Sequence, residues 1–378
     1  MAAEIDIRPV TTRAEREAFI RLPGRLMAGD PNWVEPLRIE RRQHVDPGHN
    51  PFFRHAEVGL WLAWQAGRPV GRISAQIDRL APAVEGRRVG FWGMPAAQDA
   101  GVLAQLMAVA EDWLIARGAG LGRGPFSLSI NETSGLLVDG FDTPPFLMMA
   151  HDPAWMAAAV ERQGWVKGRD LVAYEMDVSK GLPDRPRRIA DRALAEGVRL
   201  RGLDRRRFAE EIRTVTAIFN DAWSGNWGFV PLTEAEIDAM AAELKPILDP
   251  ELVRIAEIGG EAAGFIVLLP NINEAIRDLG GRLLPFGWAK LLWRLKVRGL
   301  RSGRVPLMGV TRAAAGTVLG KALPLLLIYS LEERARARGI DRLELSWLLE
   351  DNWPVRRIIE SLEGRLTKTW RVYEKVLA

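Results

Sequence analysis

A turn made of small residues stands at the start of the longest helical pattern in this 378-residue chain. It runs from Arg312 to Thr317 and reads Arg-Ala-Ala-Ala-Gly-Thr. Backbone N–H groups at a helix N-terminus bind anions such as phosphates, and small side chains let the anion approach the backbone. The turn is therefore a candidate phosphate site, although a run of alanines is also an ordinary way to begin a helix.

Other kinds of chemistry are limited by composition. The chain has no cysteine, and its four histidines are His44, His49, His55 and His151. Disulfides, thiolate metal sites and cysteine nucleophiles are therefore excluded, and we expect no metal. The 52 basic and 48 acidic residues nearly balance, so we expect no nucleic-acid partner. A charged N-terminus and apolar runs shorter than about 18 residues predict a cytoplasmic protein without a signal peptide or membrane span.

A segment rich in basic and aromatic residues interrupts the second half of the chain. Ile276–Arg304 contains eight basic residues but a single acid, Asp278. Helical spacing places five apolar residues on one stripe: Leu284, Trp288, Leu291, Leu292 and Leu295. This composition is typical of a helix on an anionic lipid surface, so we expect residues 283–301 to contact the inner face of a membrane. A lid helix that packs its apolar stripe on its own domain fits the same pattern.

Strand-like and helix-like periods alternate along the whole chain, which predicts an α/β class with a mixed sheet. The two halves are also similar in sequence, because Glu161…Gly164…Tyr174 aligns with Glu360…Gly364…Tyr373. We therefore predict two tandem domains, 1–182 and 183–378, the second with an insertion at 271–304. The boundary is predicted near residues 179–190. A strand over 124–130 is expected to follow the first long helix.

This order of elements resembles the GNAT acyltransferase fold. The end of the chain looks like the end of a GNAT domain, in Leu349-Glu-Asp-Asn-Trp-Pro354 and in Lys368-Thr-Trp-Arg-Val-Tyr-Glu-Lys375. The first half is similar to the N-terminal part of two-domain bacterial GNAT-like proteins, in Asn50-Pro-Phe-Phe53, Pro69-Val-Gly-Arg-Ile73, Asn131-Glu132 and Gly140-Phe-Asp142. Together these segments extend over nearly the entire chain.

The resemblance implies acyl-CoA as co-substrate and no permanently bound cofactor. In GNAT proteins a small-residue turn binds the diphosphate, and a splayed strand pairs with pantetheine. The matching positions are Arg312, Ala314, Ala315, Gly316 and Thr317 in the turn, and Met308, Gly309 and Val310 in the strand. The corresponding turn of the first half contains Asp99, whose charge would repel a diphosphate. Acyl-CoA binding is thus expected in the second domain, and the first is interpreted as a degenerate copy on the acceptor side.

The resemblance also implies direct aminolysis of the thioester, which needs an oxyanion donor, a base and an acid. By the predicted topology Glu350 and Asp351 are the nearest carboxylates, so we expect Glu350 to be the base and Asn352 to position the acceptor or the CoA arm. Tyr373 is the candidate acid by elimination, because Tyr329 lies inside a predicted helix and Tyr174 in the degenerate copy. Each has an alternative interpretation. Asp351 and Asn352 are good helix N-caps, and a tyrosine in a strand is most often a core residue.

A further set of residues is expected to contact the acceptor. We expect Asn131, Glu132, Trp223, Trp227 and Trp288 to contact an acceptor that is itself lipidic. The bacterial ceramide synthases, which N-acylate a sphingoid base, are a similar GNAT-like family. The function predicted is therefore long-chain N-acyl transfer from acyl-CoA to an amine. Two alternatives stay open: a non-catalytic acyl-CoA or lipid-binding protein with a decayed site, and an acetyltransferase for a small polar amine.

Overall fold

The computed structural model describes residues 4–245 and 248–378, which form two compact units. The first unit consists of Met1–Leu171, Ile276–Leu291 and Lys368–Ala378, and the second of Val172–Ala275 and Leu292–Thr367. The units differ from the predicted halves because the last strand of the chain joins the sheet of the first unit. Residues 172–182 are grouped with the second unit instead. Part of the basic segment belongs to each unit.

The first unit contains a sheet with helices on both faces. Its strands are β1 (Ile5–Pro9), β2 (Ala56–Gln65), β3 (Arg68–Asp78), β4 (Val89–Ala97), β5 (Leu121–Gly124), β6 (Leu136–Asp139) and the first part of β7 (Val166–Asp177). Its helices before β7 are α1 (Arg13–Leu26), α2 (Arg38–His44), α3 (Ala100–Ile115) and α4 (Trp155–Glu161), with a 3₁₀ turn at Pro51–Arg54.

The second unit repeats this plan. Its helices are α5 (Asp184–Ala195), α6 (Phe208–Trp223), α7 (Glu234–Leu244), α8 (Ile272–Ile276), α9 (Gly287–Trp293, continued as a π-helix over Arg294–Arg298), α10 (Arg312–Ala315), α11 (Val318–Arg336) and α12 (Trp353–Ser361). Helices α8 and α9 cross from one unit to the other. Its strands are β8 (Arg199–Gly202), β9 (Val253–Ile258), β10 (Glu261–Pro270), β11 (Ser302–Val310) and β12 (Arg342–Leu349), and β13 (Arg365–Val376) ends the chain. Short 3₁₀ turns lie at Arg205–Arg207 and Pro250–Leu252.

Strand order confirms the predicted mixed α/β class. In the first unit the order is β1-β2-β3-β4-β5-β13, with β6 also paired to β13. In the second unit it is β7-β12-β11-β10-β9-β8. Among the pairings that the structure describes, β4 with β5 in the first unit and β11 with β12 in the second are parallel, and a long helix follows the first strand of each pair. This is the connection that a parallel pair requires.

A long apolar helix packs on each sheet. In the first unit α3 buries Val102, Leu106, Ala110 and Leu114, whose spacing of four residues places them on one face. In the second unit α11 buries Leu323, Leu326 and Leu327 against the sheet. Each fully buried leucine contributes about 1.5 to 3 kcal/mol relative to an exposed one. These two faces, which hydrophobic spacing predicts, hold the sheets in place.

One sequence expectation was wrong at the level of elements. The strand predicted at 124–130 is Leu121–Gly124, because Pro125 has no N–H group for a ladder and the chain turns away there. The predicted boundary region, 179–190, contains the start of helix α5, which buries Ala190 and Ala193. A short amphipathic helix with few apolar residues is hard to distinguish from a linker in sequence.

Among the described residues, no helix is both long enough and apolar enough to span a membrane.

Candidate active site

Strands β11 and β12 of the second unit are paired over only part of their length. Their register runs from Ser302 opposite Arg342 to Val305 opposite Leu345, and no pairing follows. Strand β11 continues beside β10 as far as Val310, and β12 continues to Leu349. The two parallel strands therefore separate beyond Val305. An extended ligand could pair with the strand edge exposed between them.

Met308 lies on the part of β11 that β12 no longer covers. Its carbonyl oxygen accepts a hydrogen bond from Nε1 of Trp223 at 3.3 Å. In an antiparallel pair the N–H and C=O of one residue point to the same edge of the strand. The N–H of Met308 is thus expected to point away from β10 as well, into the opening. A backbone N–H in this position can donate to a developing oxyanion.

The small-residue turn forms a single helical turn, α10, directly before α11. Thr317 caps α11, since its Oγ1 accepts from the N–H of Gly320 at 2.9 Å. The N–H groups of Val318 and Leu319 have no acceptor in the part of the chain that is described. Two donors therefore remain at this helix end, where the helix dipole favours an anion.

The backbone of this turn is compatible with its sequence. No residue from Arg312 to Thr317 has a positive φ, and Gly316 itself has φ −71°. Alanine can therefore stand at position 315 without strain. Most residues of the turn are exposed, so side chains do not occlude it.

Arg312, the only basic residue of the turn, is already paired. Asp221 of α6 accepts from the N–H of Arg312 at 2.6 Å and from its Nε at 3.2 Å. These hydrogen bonds hold the pKa of Asp221 below its usual value. The carboxylate ties the end of α6 to the beginning of the turn. A ligand phosphate would compete with Asp221 for this guanidinium.

An aromatic cluster lines one side of the opening. Ring centroids lie 5.1 Å apart for Phe219 and Trp223, 5.8 Å for Phe219 and Phe229, and 5.7 Å for Trp223 and Trp347. Trp227 follows α6 in the loop that leads to Phe229 and is half-buried. Trp347 was not predicted as a site residue. Strand alternation places it on the same face of β12 as Leu343 and Leu345, so its sequence position is typical of a core residue.

A buried chain of hydrogen bonds between polar and charged side chains lies where β11 and β12 separate. Arg304 and Glu344 are opposite each other in the register, and Ser346 follows on β12. Ser346 Oγ accepts from Arg304 Nε at 2.8 Å and donates to Glu344 Oε1 at 2.5 Å. Burial lowers the pKa of Arg304 to about 10, while Glu344 opposes this shift. In the sequence Arg304 is only the last cation of the basic segment, so the sequence did not distinguish this set of residues.

The segment after β12 carries Glu350 and Asn352. Asn352 is at the N-cap of α12, but its side chain makes no capping hydrogen bond. Arg356 of α12 donates to the carbonyl of Glu350 and to Tyr174 Oη. The Tyr174 hydroxyl in turn donates to Glu360 at 2.6 Å. The side chain of Asn352 is thus not needed to cap its helix.

Two tyrosines are placed differently from the sequence interpretation. Tyr174 was attributed to the degenerate copy, but it lies in the second unit, where burial and Glu360 raise its pKa. Tyr373, the predicted acid, lies in the core of the first unit and donates to Glu161 at 3.2 Å. Burial and Glu161 raise the pKa of Tyr373. Tyr373 lies on the part of β13 that belongs to the first unit, whereas Met308 belongs to the second.

The first unit lacks an equivalent phosphate turn. Asp99 caps α3, since its Oδ1 accepts from the N–H of Val102 at 2.9 Å. Between β4 and β5 the backbone of Phe126 lies so close to Gly93 that a Cβ there would be 1.7 Å from its carbonyl oxygen. A ligand has no room between these two residues, and Asp99 supplies the negative charge at the helix end.

The remaining predicted contact residues also lie in the first unit. Asn131 and Glu132 are half-buried in the loop after β5, where the N–H of Asn131 donates to Ser129 Oγ at 3.2 Å. Trp288 is in the basic segment, and its Nε1 donates to the carbonyl of Pro285 at 3.1 Å. Within the second unit, the structure brings together Trp223, Trp347 and Met308.

Two curated proteins are similar to this chain over almost its whole length. The "Bacterial ceramide synthase" of Caulobacter vibrioides is 52% identical over 377 residues, which is 99% of this chain and 98% of that protein. "Protein YghO" of Escherichia coli is 45% identical over 372 residues, 98% of this chain and 95% of that protein. No protein-family model matches the chain.

Among solved structures, the chain is similar to a tandem GNAT protein from the clavulanic acid biosynthesis pathway. The TM-score is 0.57 at 14% identity, with 99% of both chains covered. At this identity the likeness concerns the fold alone. It confirms the tandem GNAT architecture predicted from the order of elements.

Proposed function

Since the chain belongs to the family of the bacterial ceramide synthase of Caulobacter vibrioides, we propose that it transfers a long-chain acyl group from acyl-CoA to a sphingoid base. The chain is an N-acyltransferase with the tandem GNAT fold. The observation that carries the proposal is the 52% identity to that relative, extending over both units of the chain. The separation of β11 from β12 supports a thioester site in the second unit.

The proposed reaction is direct aminolysis. The nitrogen lone pair of the neutral amine attacks the thioester carbonyl carbon, a C–N bond forms, and the C–S bond breaks. The N–H of Met308 stabilises the oxyanion, and the strand edge at Gly309 and Val310 pairs with pantetheine. The Glu350 carboxylate takes the proton released by nitrogen, and the CoA thiolate takes a proton from an acid.

The diphosphate of acyl-CoA is proposed to bind at the start of α11. The N–H groups of Val318 and Leu319 supply two hydrogen-bond donors, and the turn from Ala314 to Thr317 presents only small side chains. Arg312 is shared between Asp221 and the ligand. Asn352, whose side chain is not used as a cap, positions the acceptor.

Two tyrosines are candidates for the acid that protonates the thiolate. Tyr373 was expected from sequence, and its environment keeps it protonated at neutral pH. Tyr174 is also kept protonated, and it shares the second unit with Glu350 through Arg356. We favour Tyr174 because it belongs to the same unit as the proposed base.

The acceptor is proposed to be lipidic. The aromatic cluster of Phe219, Trp223, Phe229 and Trp347 provides a large apolar surface beside the opening, of the kind that buries an alkyl chain. An enzyme with two lipid substrates is expected to work in the cytoplasm at a membrane surface.

Turnover tests this function directly. Purified protein is mixed with palmitoyl-CoA and a sphingoid base, and both free CoA and the N-acyl product are measured. We expect stoichiometric release of CoA and formation of the amide. Retention of the thioester without CoA release would favour a non-catalytic binding protein. Turnover restricted to acetyl-CoA and a small polar amine would favour the second alternative.

Replacing Glu350 by glutamine is expected to lower kcat by about 10² to 10⁴, the usual contribution of a general base. The affinity for the thioester should be unchanged, because the carboxylate acts on the amine. Steady-state kinetics and calorimetric titration with CoA measure the two effects. Asp351→Asn is the matched control at the adjacent carboxylate. Equal losses of affinity and kcat in Glu350→Gln would mean that Glu350 is not the base.

Replacing Trp223 by alanine is expected to raise KM for a long-chain amine about tenfold or more, because an aromatic contact surface is lost. Trp223→Phe keeps a ring beside Trp347 and removes only the hydrogen bond to Met308, so its KM should change less. A short-chain amine should respond weakly to both substitutions. If short and long amines responded alike, the cluster would not bind the alkyl chain.

A further inference from the structure

The basic segment forms a helix that packs on the protein through only a few residues. The helical stretch is Gly287–Arg298, and Leu291, Arg294 and Leu295 are its partly buried side chains. Arg294 donates to the carbonyl of Ala275 at 2.6 Å, and Lys290 pairs with Asp278. These contacts fix one side of the helix. The apolar stripe predicted from sequence is therefore split between an inner and an outer face.

The outer face and the preceding loop expose large apolar side chains. The exposed fractions are 78% for Leu284, 78% for Phe286, 50% for Trp288, 49% for Leu292, 53% for Trp293 and 71% for Val297. This apolar patch exposes six large side chains within fourteen consecutive positions, whereas soluble surfaces ordinarily carry such side chains singly. The interpretation as a lid packed on its own domain does not account for them. Such a patch indicates an apolar partner.

Positive charge surrounds this patch. No acidic residue occurs between positions 279 and 304. Arg282, Lys296 and Arg298 are exposed and make no ion pair within the described ranges. The partner must therefore combine an apolar phase with negative charge at its surface.

We infer that residues 282–298 form a membrane-docking surface whose partner is a bilayer containing anionic lipids. Leu284, Phe286, Trp288, Trp293 and Val297 enter the boundary between headgroups and acyl chains, and the basic side chains bind anionic headgroups. A second copy of this chain fits less well. A two-fold contact would place the same cations against each other without a carboxylate between them.

This inference deepens the proposed function and rests on it for one consequence. Long-chain amines and their N-acyl products partition into lipid, so a docked enzyme takes its acceptor from the bilayer. Docking itself depends only on the surface described above. Binding to vesicles and turnover can therefore be measured separately.

The test uses the full-length protein and sedimentation with two kinds of vesicle, pure phosphatidylcholine and phosphatidylcholine mixed with phosphatidylglycerol. We expect sedimentation with the anionic vesicles, weaker at high salt because the headgroup contacts are screened. The triple variant Leu284→Ser, Phe286→Ser and Trp293→Ser should reduce the partition coefficient about tenfold or more. The charge variant Lys296→Gln and Arg298→Gln should reduce it mainly for anionic vesicles.

The matched control replaces three exposed apolar residues elsewhere, Val166, Ile189 and Leu366, by serine. It should sediment like the unchanged protein. Equal sedimentation of the docking variant and the unchanged protein overturns the inference. The inference is also overturned if light scattering finds that the unchanged protein is a dimer and the docking variant a monomer, because a second copy would then cover the patch.

Turnover separates this inference from the proposed function. With detergent-solubilised acceptor the docking variant should keep the rate of the unchanged protein, and with vesicle-embedded acceptor it should lose most of it. No turnover by the unchanged protein in either assay contradicts the proposed function, while vesicle binding still decides the docking surface.

Discussion

Replacing Arg304 by methionine is expected to lower the free energy of unfolding by about 3 to 5 kcal/mol, the usual cost of leaving one partner of a buried ion pair uncompensated. Arg304 is 4% exposed, Ser346 3% and Glu344 0%. Methionine fills a similar volume but cannot donate to Ser346, and the Glu344 carboxylate loses the cation that lies 4.0 Å from it. Urea unfolding followed by tryptophan fluorescence measures the loss.

The double variant Arg304→Met and Glu344→Gln is the control for this prediction. Glutamine keeps an acceptor for Ser346 and removes the buried negative charge, so most of the lost stability should return. Arg187→Met, which removes one member of an exposed ion pair with Glu333, should change stability by no more than about 1 kcal/mol. If Arg304→Met were as stable as the Arg187→Met control, the buried chain would not support the strands where they separate.

Replacing Gly320 by alanine is expected to weaken CoA binding about tenfold or more and to abolish most turnover. A Cβ at position 320 would lie 1.8 Å from the carbonyl oxygen of Ala314, so α10 must move away from the start of α11. That movement breaks the turn proposed to bind the diphosphate and costs about 1 to 3 kcal/mol of overpacking. Calorimetric titration with CoA and thermal unfolding measure the two effects.

Gly316→Ala is the matched control within the same turn. Gly316 has φ −71°, and a Cβ there meets no atom nearer than 3.8 Å. Its CoA affinity should stay within about twofold of the unchanged protein, since alanine adopts this conformation readily. Equal CoA affinity in both variants would show that the packing of α10 on α11 has no part in binding the coenzyme.

Both predictions concern residues whose importance is invisible in the sequence. Gly320 is one of 36 glycines, and only its position beneath Ala314 distinguishes it. Arg304 looks like one of several cations in the basic segment, yet it points into the sheet while Lys296 and Arg298 stay exposed. Hydrophobic periodicity records whether a side chain is apolar. It carries no information on which backbone group it meets.

The sequence by itself determined the fold class and the tandem GNAT plan. These depend on local periodicity, on capping residues such as Asp99, and on glycines after helices, all of which act over a few residues. It also predicted an acyltransferase through the order of elements. The long apolar helices α3 and α11 are recognisable because their buried faces repeat every three to four positions.

Only the tertiary structure decided which residues share a site. β13 pairs with β5, so Tyr373 lies in the first unit, whereas Tyr174 lies beside α12 in the second. Strand pairing over long sequence separations is set by the fit of whole sheets. The residues next to each tyrosine in the sequence therefore do not reveal which strand it pairs with. The same reason explains the basic segment: its composition indicated an amphipathic helix, but which face is exposed depends on the surfaces it packs against.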